Sequence, residues 1–217
     1  MPSGEAAKTI VQCDFDGTIT IGDVSFMLLD AFAAGDWRQI LKEYREDKIP
    51  VGIFNSRAFA MVKASRASLV AYMRERVKIR PGLPELLASC RHRGFRFVIV
   101  SNGLEFYIET ILSDLGINGI EVHAARTLFH PQGIEASYVG PEGNILEGGF
   151  KDVYTRLFLS QGYHVIYIGD GLSDFTAAKL AHRVFAVDSL YDRCKQENLG
   201  CATFVNLADI AGEIALL

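Results

Sequence analysis

The chain has 217 residues, enough for one full hydrophobic core or for one core with a modest insertion. Its 49% hydrophobic and 22% charged residues are ordinary for a globular protein, and a net charge of −4 leaves no basic footprint for nucleic acid as a main partner. No run approaches the roughly 18 apolar residues that a membrane span needs, so no membrane partner is expected.

The start, Met1 to Lys8, is polar and has no apolar run of leader length behind it. Four cysteines, Cys13, Cys90, Cys194 and Cys201, lack C-x-x-C spacing and read as reduced thiols of a cytoplasmic protein. Ile10 to Phe15 is the first short apolar run and reads as a buried strand. From about Gly22 to Lys78 there is no convincing strand. Helical spacing dominates there instead, as in Trp37, Ile40, Leu41 and Tyr44 at i, i+3, i+4 and i+7. Leu83, Leu86, Leu87 and Cys90 repeat that spacing, with Pro81 suiting the helix start and Gly94 its end.

Phe95 to Val100 reads as a second strand, followed by a helical stripe of Leu104, Ile108, Ile111, Leu112 and Leu115. Glu121 to Gly149, rich in Gly and Pro, reads as a hairpin excursion. His164 to Ile168, Val184 to Val187 and a weaker Thr203 to Val205 complete the expected strands. The alternation from Phe95 onward implies a parallel sheet with crossover helices. The expected fold class is therefore α/β, with a core over residues 1–20 and 80–217 carrying a hairpin excursion at 121–149. A helical cap over 21–79 is inserted after the first strand.

Polar residues gather where these strands end. Asp14-Phe15-Asp16-Gly17-Thr18 closes the first, and two carboxylates spaced by two on a strand share a face. Ser101-Asn102-Gly103 closes the second, and Gly169-Asp170-Gly171-Leu172-Ser173-Asp174 closes the third. Lys151 opens a helix after Gly148-Gly149. Each feature alone has a bland reading as a turn, a cap or a solvated lysine. Together, in this order, they point to one site at the carboxyl edge of the sheet.

The set Asp14-Phe15-Asp16-Gly17-Thr18, Ser101, Lys151 and Gly169-Asp170-x-x-x-Asp174 resembles the haloacid dehalogenase superfamily, and within it the phosphoserine phosphatase-like branch. That resemblance implies a Rossmann-like core and a magnesium-dependent phosphatase of a small phosphorylated metabolite. A methionine-salvage intermediate or a phosphoserine-like monoester is the implied substrate. It also implies Asp14 as nucleophile, Asp16 as acid and base, and Ser101, Asn102 and Lys151 as phosphate-binding residues. The Mg2+ ligands would be Asp14, Asp170 and the Asp16 backbone carbonyl, with Asp174 behind them. Arg57 matches a cap arginine of that branch and is a candidate for substrate binding, with Asp23 a weaker one. Phe106 and Tyr107 are candidate pocket residues, although aromatic residues at helical spacing more commonly fill cores. A monomer or homodimer is expected. Two other readings stay open from the residues: a phosphorylation-receiving signalling domain and a non-catalytic phosphometabolite-binding module.

Overall fold

The computed structural model describes residues 8–217. The stretch Met1 to Ala7, with its reading as a polar start and as the beginning of the core, lies outside the described residues. After β1 (Thr9–Cys13) come four helices, α1 (Val24–Phe32), α2 (Trp37–Arg45), α3 (Val51–Phe59) and α4 (Arg66–Arg76). Next are α5 (Leu83–His92), β2 (Arg96–Leu104), α6 (Glu105–Asp114), β3 (Glu121–His130), β4 (Gly133–Val139) and β5 (Ile145–Leu146). The chain ends with α7 (Phe150–Ser160), β6 (His164–Gly169), α8 (Phe175–Leu180), β7 (Arg183–Ala186), α9 (Asp188–Gln196) and α10 (Leu207–Ala215). None of the helices among the described residues is long and apolar enough to cross a membrane.

Seven strands form one sheet in the order β5-β4-β3-β2-β1-β6-β7, and the five from β3 to β7 in that row run parallel. This is the expected α/β architecture. Ile10, Val11, Val98, Ile99, Ile166 and Ile168 are fully buried, as a sheet covered by helices on both faces requires. The chain moves outward from β1 in opposite directions on its two sides. The switch point between β1 and β6 therefore opens a crevice beyond their carboxyl ends.

Local chemistry sets where the helices begin. The Asp23 side chain accepts from the Phe26 N–H (2.8 Å) to cap α1, and Ser65 caps α4 through the Ser68 N–H. The four-helix segment leaves and rejoins the sheet through two adjacent connections. There the Ile21 N–H donates to the Lys78 carbonyl (2.7 Å) and the Arg80 N–H to the Ile19 carbonyl (2.8 Å).

Several boundaries differ from those the sequence suggests. β1 stops at Cys13, so Asp14 and Asp16 stand on the loop beyond it, with the fully buried Phe15 between them. β2 runs on to Leu104, and its register against β3 breaks between Val100 and Leu104, which frees Ser101 to Gly103 from that ladder. The hairpin β3–β4 is present, yet β3 is a full parallel member of the central sheet and β4 and β5 extend it antiparallel. Thr203 to Val205 is not a strand. The N–H groups of Val205 and Asn206 turn to the Asp209 carboxylate instead, and only Ala202 bridges to the sheet, at Phe185.

Candidate active site

Asp14 is fixed across the switch point, because its N–H donates to the Ile168 carbonyl of β6 (2.9 Å). Its Oδ1 accepts from the Phe15 N–H (2.7 Å), and its Oδ2 lies 2.6 Å from Lys151 Nζ. Lys151, on the first turn of α7 and only 2% exposed, also reaches Asp174 Oδ1 at 2.6 Å. Its position is set by a buried polar pair between β1 and α7. The Gln12 amide donates to the Lys151 carbonyl (3.0 Å) and accepts from the Thr155 hydroxyl (2.8 Å). A glutamine inside a sheet is tolerated only when satisfied in this way.

Asp174 is saturated. Its Oδ1 accepts from Lys151 and from the Tyr167 hydroxyl (2.6 Å), and its Oδ2 from the N–H groups of Asp170 (3.2 Å) and Gly171 (2.8 Å). A carboxylate has about four lone-pair directions, so Asp174 organises its neighbours and has none to spare for a cation. Asp170, just past β6, accepts from the Thr18 hydroxyl (2.9 Å) at Oδ1. Gly17, at φ +76°, lets it approach; a Cβ there would lie 2.2 Å from Asp170 Oδ2.

Carboxylate oxygens of Asp14, Asp170 and Asp174 lie within 4.8 Å of one another, against the single Lys151 ammonium. Burial pushes the Asp14 carboxyl up to about 6, opposed chiefly by the Lys151 charge. Burial, then the charges of Asp14 and Asp174, push Asp170 up to about 8. Such a surplus of hard anionic oxygen fits a small divalent cation, with Asp14 and Asp170 as the carboxylates able to ligate it.

A pH dependence follows. Both groups bind their protons more tightly in the folded chain than in the unfolded one. The stability they contribute is complete below the ordinary carboxylate range and is lost as pH rises through about 6 and about 8. In a chelator, the melting temperature is expected to fall between about pH 5 and pH 8.5, and millimolar magnesium to restore more at the upper end. A chelated protein that becomes more stable across that interval would contradict this charge assignment.

Asp16 is held separately. Its Oδ1 accepts from the Val24 N–H (3.1 Å) and its Oδ2 from the Tyr107 hydroxyl, while burial followed by the nearby Asp23 charge holds its carboxyl well above the usual range. Ser101 Oγ accepts from the Gly103 N–H (3.1 Å), which leaves its hydroxyl proton free for a ligand. Asn102 is tied through its backbone carbonyl, which accepts from the Asn55 amide (2.9 Å) and the Tyr138 hydroxyl. Its buried Oδ1 has no partner.

These groups line a cavity of about 310 Å³ whose far wall, from the four-helix segment, carries Phe26, Tyr44, Val51 and Phe54. A larger cavity of about 750 Å³ between α4 and α6 is lined by Arg74 and Asp114, already paired at 2.7 Å. Chemistry, not volume, distinguishes the site. Asp14, Asp16, Ser101, Asn102, Lys151 and Asp170 all line the smaller cavity, Asp23 joins them, and Asp174 lies directly behind.

Arg57 is the exception and a correction. Its guanidinium pairs with Glu43 at 2.5 Å on the exposed side of α3, and it does not line the cavity. Arg45, in the last turn of α2, lines it instead, beside Asn55 from α3. The sequence carried no chemical signal for either, since each stands beside an apolar stripe whose orientation only packing decides.

A family model of haloacid dehalogenase-like hydrolases matches residues 11–179. A 2-hydroxy-3-keto-5-methylthiopentenyl-1-phosphate phosphatase of Brevibacillus brevis is 27% identical over 207 residues, covering 94% of this chain and 93% of its own. A protein of the same name from Exiguobacterium sibiricum is 28% identical over 211 residues, covering 94% and 95%. Among solved structures, a substrate-bound phosphoserine phosphatase superposes with a TM-score of 0.69 at 17% identity, covering 96% of this chain and 99% of that one.

Proposed function

The chain belongs to the haloacid dehalogenase-like hydrolases, and from that membership we propose that it is a magnesium-dependent phosphatase working through an aspartyl-phosphate on Asp14. One observation carries the reading. A nucleophile candidate paired with a buried ammonium, and an acid–base candidate held apart from that pair by Tyr107 and Val24, converge on one crevice.

Asp14 Oδ attacks phosphorus, the ester P–O bond breaks, and the leaving oxygen takes a proton from Asp16. A water then attacks the phosphoryl group while Asp16, now ionised, takes its proton. The bond to Asp14 breaks and phosphate departs. Of the three Lys151 N–H groups, two are engaged by Asp14 and Asp174, and the third, 3.4 Å from Ser173 Oγ, can turn to a phosphoryl oxygen. Ser101 donates its free hydroxyl proton to another, with the Asn102 side chain beside it.

Asp14, Asp170 and the Asp16 carbonyl would hold the Mg2+, which supplies the positive charge that lets a carboxylate approach a dianionic ester. The four helices over 24–76 act as the cap, and the wall of Phe26, Tyr44, Val51 and Phe54 suits a leaving group with an apolar portion. The apolar portion of a methylthio-ketopentenyl phosphate, of the kind named for the Brevibacillus relative, would meet that wall, which favours it here over phosphoserine. The four free thiols accord with the cytoplasmic setting of such an enzyme.

The test is hydrolysis of p-nitrophenyl phosphate with and without magnesium, followed by comparison of the methylthio-ketopentenyl ester with phosphoserine. Magnesium-dependent turnover with a higher kcat/KM for the former is expected. Absence of magnesium-dependent turnover on all three esters refutes the phosphatase reading.

A further inference from the structure

Tyr107 is completely buried on α6, and most of its ring serves the core against Phe15 and Phe106. Its hydroxyl does something else. It donates its one proton to Asp16 Oδ2 and meets the Ser25 hydroxyl at 2.9 Å, so Ser25 donates to it in turn. With the Val24 N–H on Oδ1, both oxygens of Asp16 are held from elements outside its own loop.

The backbone is shaped around this contact. A Cβ on Gly103 would lie 2.1 Å from the Tyr107 hydroxyl and 2.5 Å from Asp16 Oδ2. Glycine after Ser101-Asn102 thus leaves space for the tyrosine to reach the carboxyl group.

We propose that Tyr107 is a positioning residue for proton transfer, its hydroxyl aligning the Asp16 carboxyl group with the leaving oxygen of the ester. This rests on the reading of Asp16 as the acid. Each Asp16 oxygen keeps a lone-pair direction for substrate once Tyr107 and Val24 have taken theirs. Without the tyrosine hydroxyl the carboxyl can rotate about its Cβ–Cγ bond, and the acid loses its aim. In the step concerned, the P–O ester bond breaks and its electron pair stays on the leaving oxygen. The proton on Asp16 then moves to that oxygen.

The consequence depends on the leaving group. p-Nitrophenolate departs readily without a proton, phenolate less so, and a benzyl alkoxide hardly at all. The three monophosphates are of similar size, so a comparison isolates proton delivery. In saturating magnesium, Tyr107→Phe is expected to keep kcat/KM for p-nitrophenyl phosphate within about 3-fold. It should lower that for phenyl and benzyl phosphate by about 30-fold or more, a part of the 10²–10⁴ typical of general acid catalysis. Ser25→Ala, which removes the donor to the Tyr107 hydroxyl without touching Asp16, is expected to give the same ordering to a smaller degree, and it carries the comparison should Tyr107→Phe fold poorly.

Asp16→Asn is run on the same three esters. A steep dependence in Asp16→Asn with a uniform loss, or none, in the Tyr107 and Ser25 variants overturns the role of Tyr107 alone. A flat response in all of them overturns the acid reading of Asp16 and the inference with it. A merely structural tyrosine would lower all three esters by one common factor.

Discussion

Asp14→Asn is expected to lose turnover by about four orders of magnitude or more while roughly keeping the stability of the metal-free protein. The amide oxygen keeps the Phe15 N–H and with it the shape of the loop beyond β1, while the –NH2 on the other side is a donor that loses the Lys151 contact. What disappears is the nucleophile, since an amide oxygen has little of a carboxylate's reactivity toward phosphorus. Stability moves the other way. The Asp14 carboxyl is pushed up to about 6 by burial, so at pH 8 its ionised form is held less favourably folded than unfolded. A neutral isostere removes that cost, which offsets the lost Lys151 contact, and Lys151 keeps Asp174 as a partner. Asp14→Ala, immune to amide hydrolysis, should be as inactive. Residual turnover above about 1% in either variant would remove Asp14 from the nucleophile's role.

The parts of this site legible in the sequence are those that depend on strand ends. Asp14 and Asp170 are identifiable because short buried runs stop at them, and Ser101 because the apolar run stops there although β2 itself continues to Leu104; a parallel sheet brings such positions to one edge. Asp14 and Asp16 nevertheless do not share a face as strand neighbours. The strand stops at Cys13, and the two carboxylates reach the cavity from a loop in which three successive N–H groups, of Thr18, Ile19 and Thr20, converge on the Phe15 carbonyl.

Features set by long-range packing were not legible. The alternating pattern from Glu121 suggested a hairpin but not its pairing with β2, because register between distant strands leaves no local mark. Arg57 and Arg45 differ in whether the four-helix segment turns them to the cavity or to solvent, and Glu43 on the neighbouring helix claims Arg57. Tyr107 shows the same limit from the other side. Reading its ring as core was sound, yet the periodicity that marks a buried aromatic is silent about where its hydroxyl ends.

Removal of the buried ammonium should have the largest structural effect. Lys151→Met leaves Asp14 and Asp174 without the cation that lies 2.6 Å from each, in a site where Lys151 itself is 2% exposed. Breaking a buried ion pair from one side costs about 3–5 kcal/mol, because the remaining charge stays desolvated and unmatched. For a chain of this length that is a fall of about 10 °C in melting temperature. Two features separate this from ordinary cavity damage. The loss should be smaller at about pH 5, where the unpaired Asp14 carboxyl, already pushed up to about 6 by burial, can take up a proton, than at pH 8. It should also shrink when Asp14→Asn is added, since the double variant has lost one buried negative charge along with the positive one. A methionine of similar length preserves the packing of the stem against α7 and the sheet, so steric loss alone predicts equal destabilisation at both pH values and no rescue by Asp14→Asn. That outcome would mean Lys151 is held by its hydrocarbon chain and that the three carboxylates tolerate one another without it. The ion-pair account instead requires magnesium to recover part of the stability of Lys151→Met at pH 8 without restoring turnover, because a cation on Asp14 and Asp170 cannot replace the N–H that faces the phosphoryl oxygen.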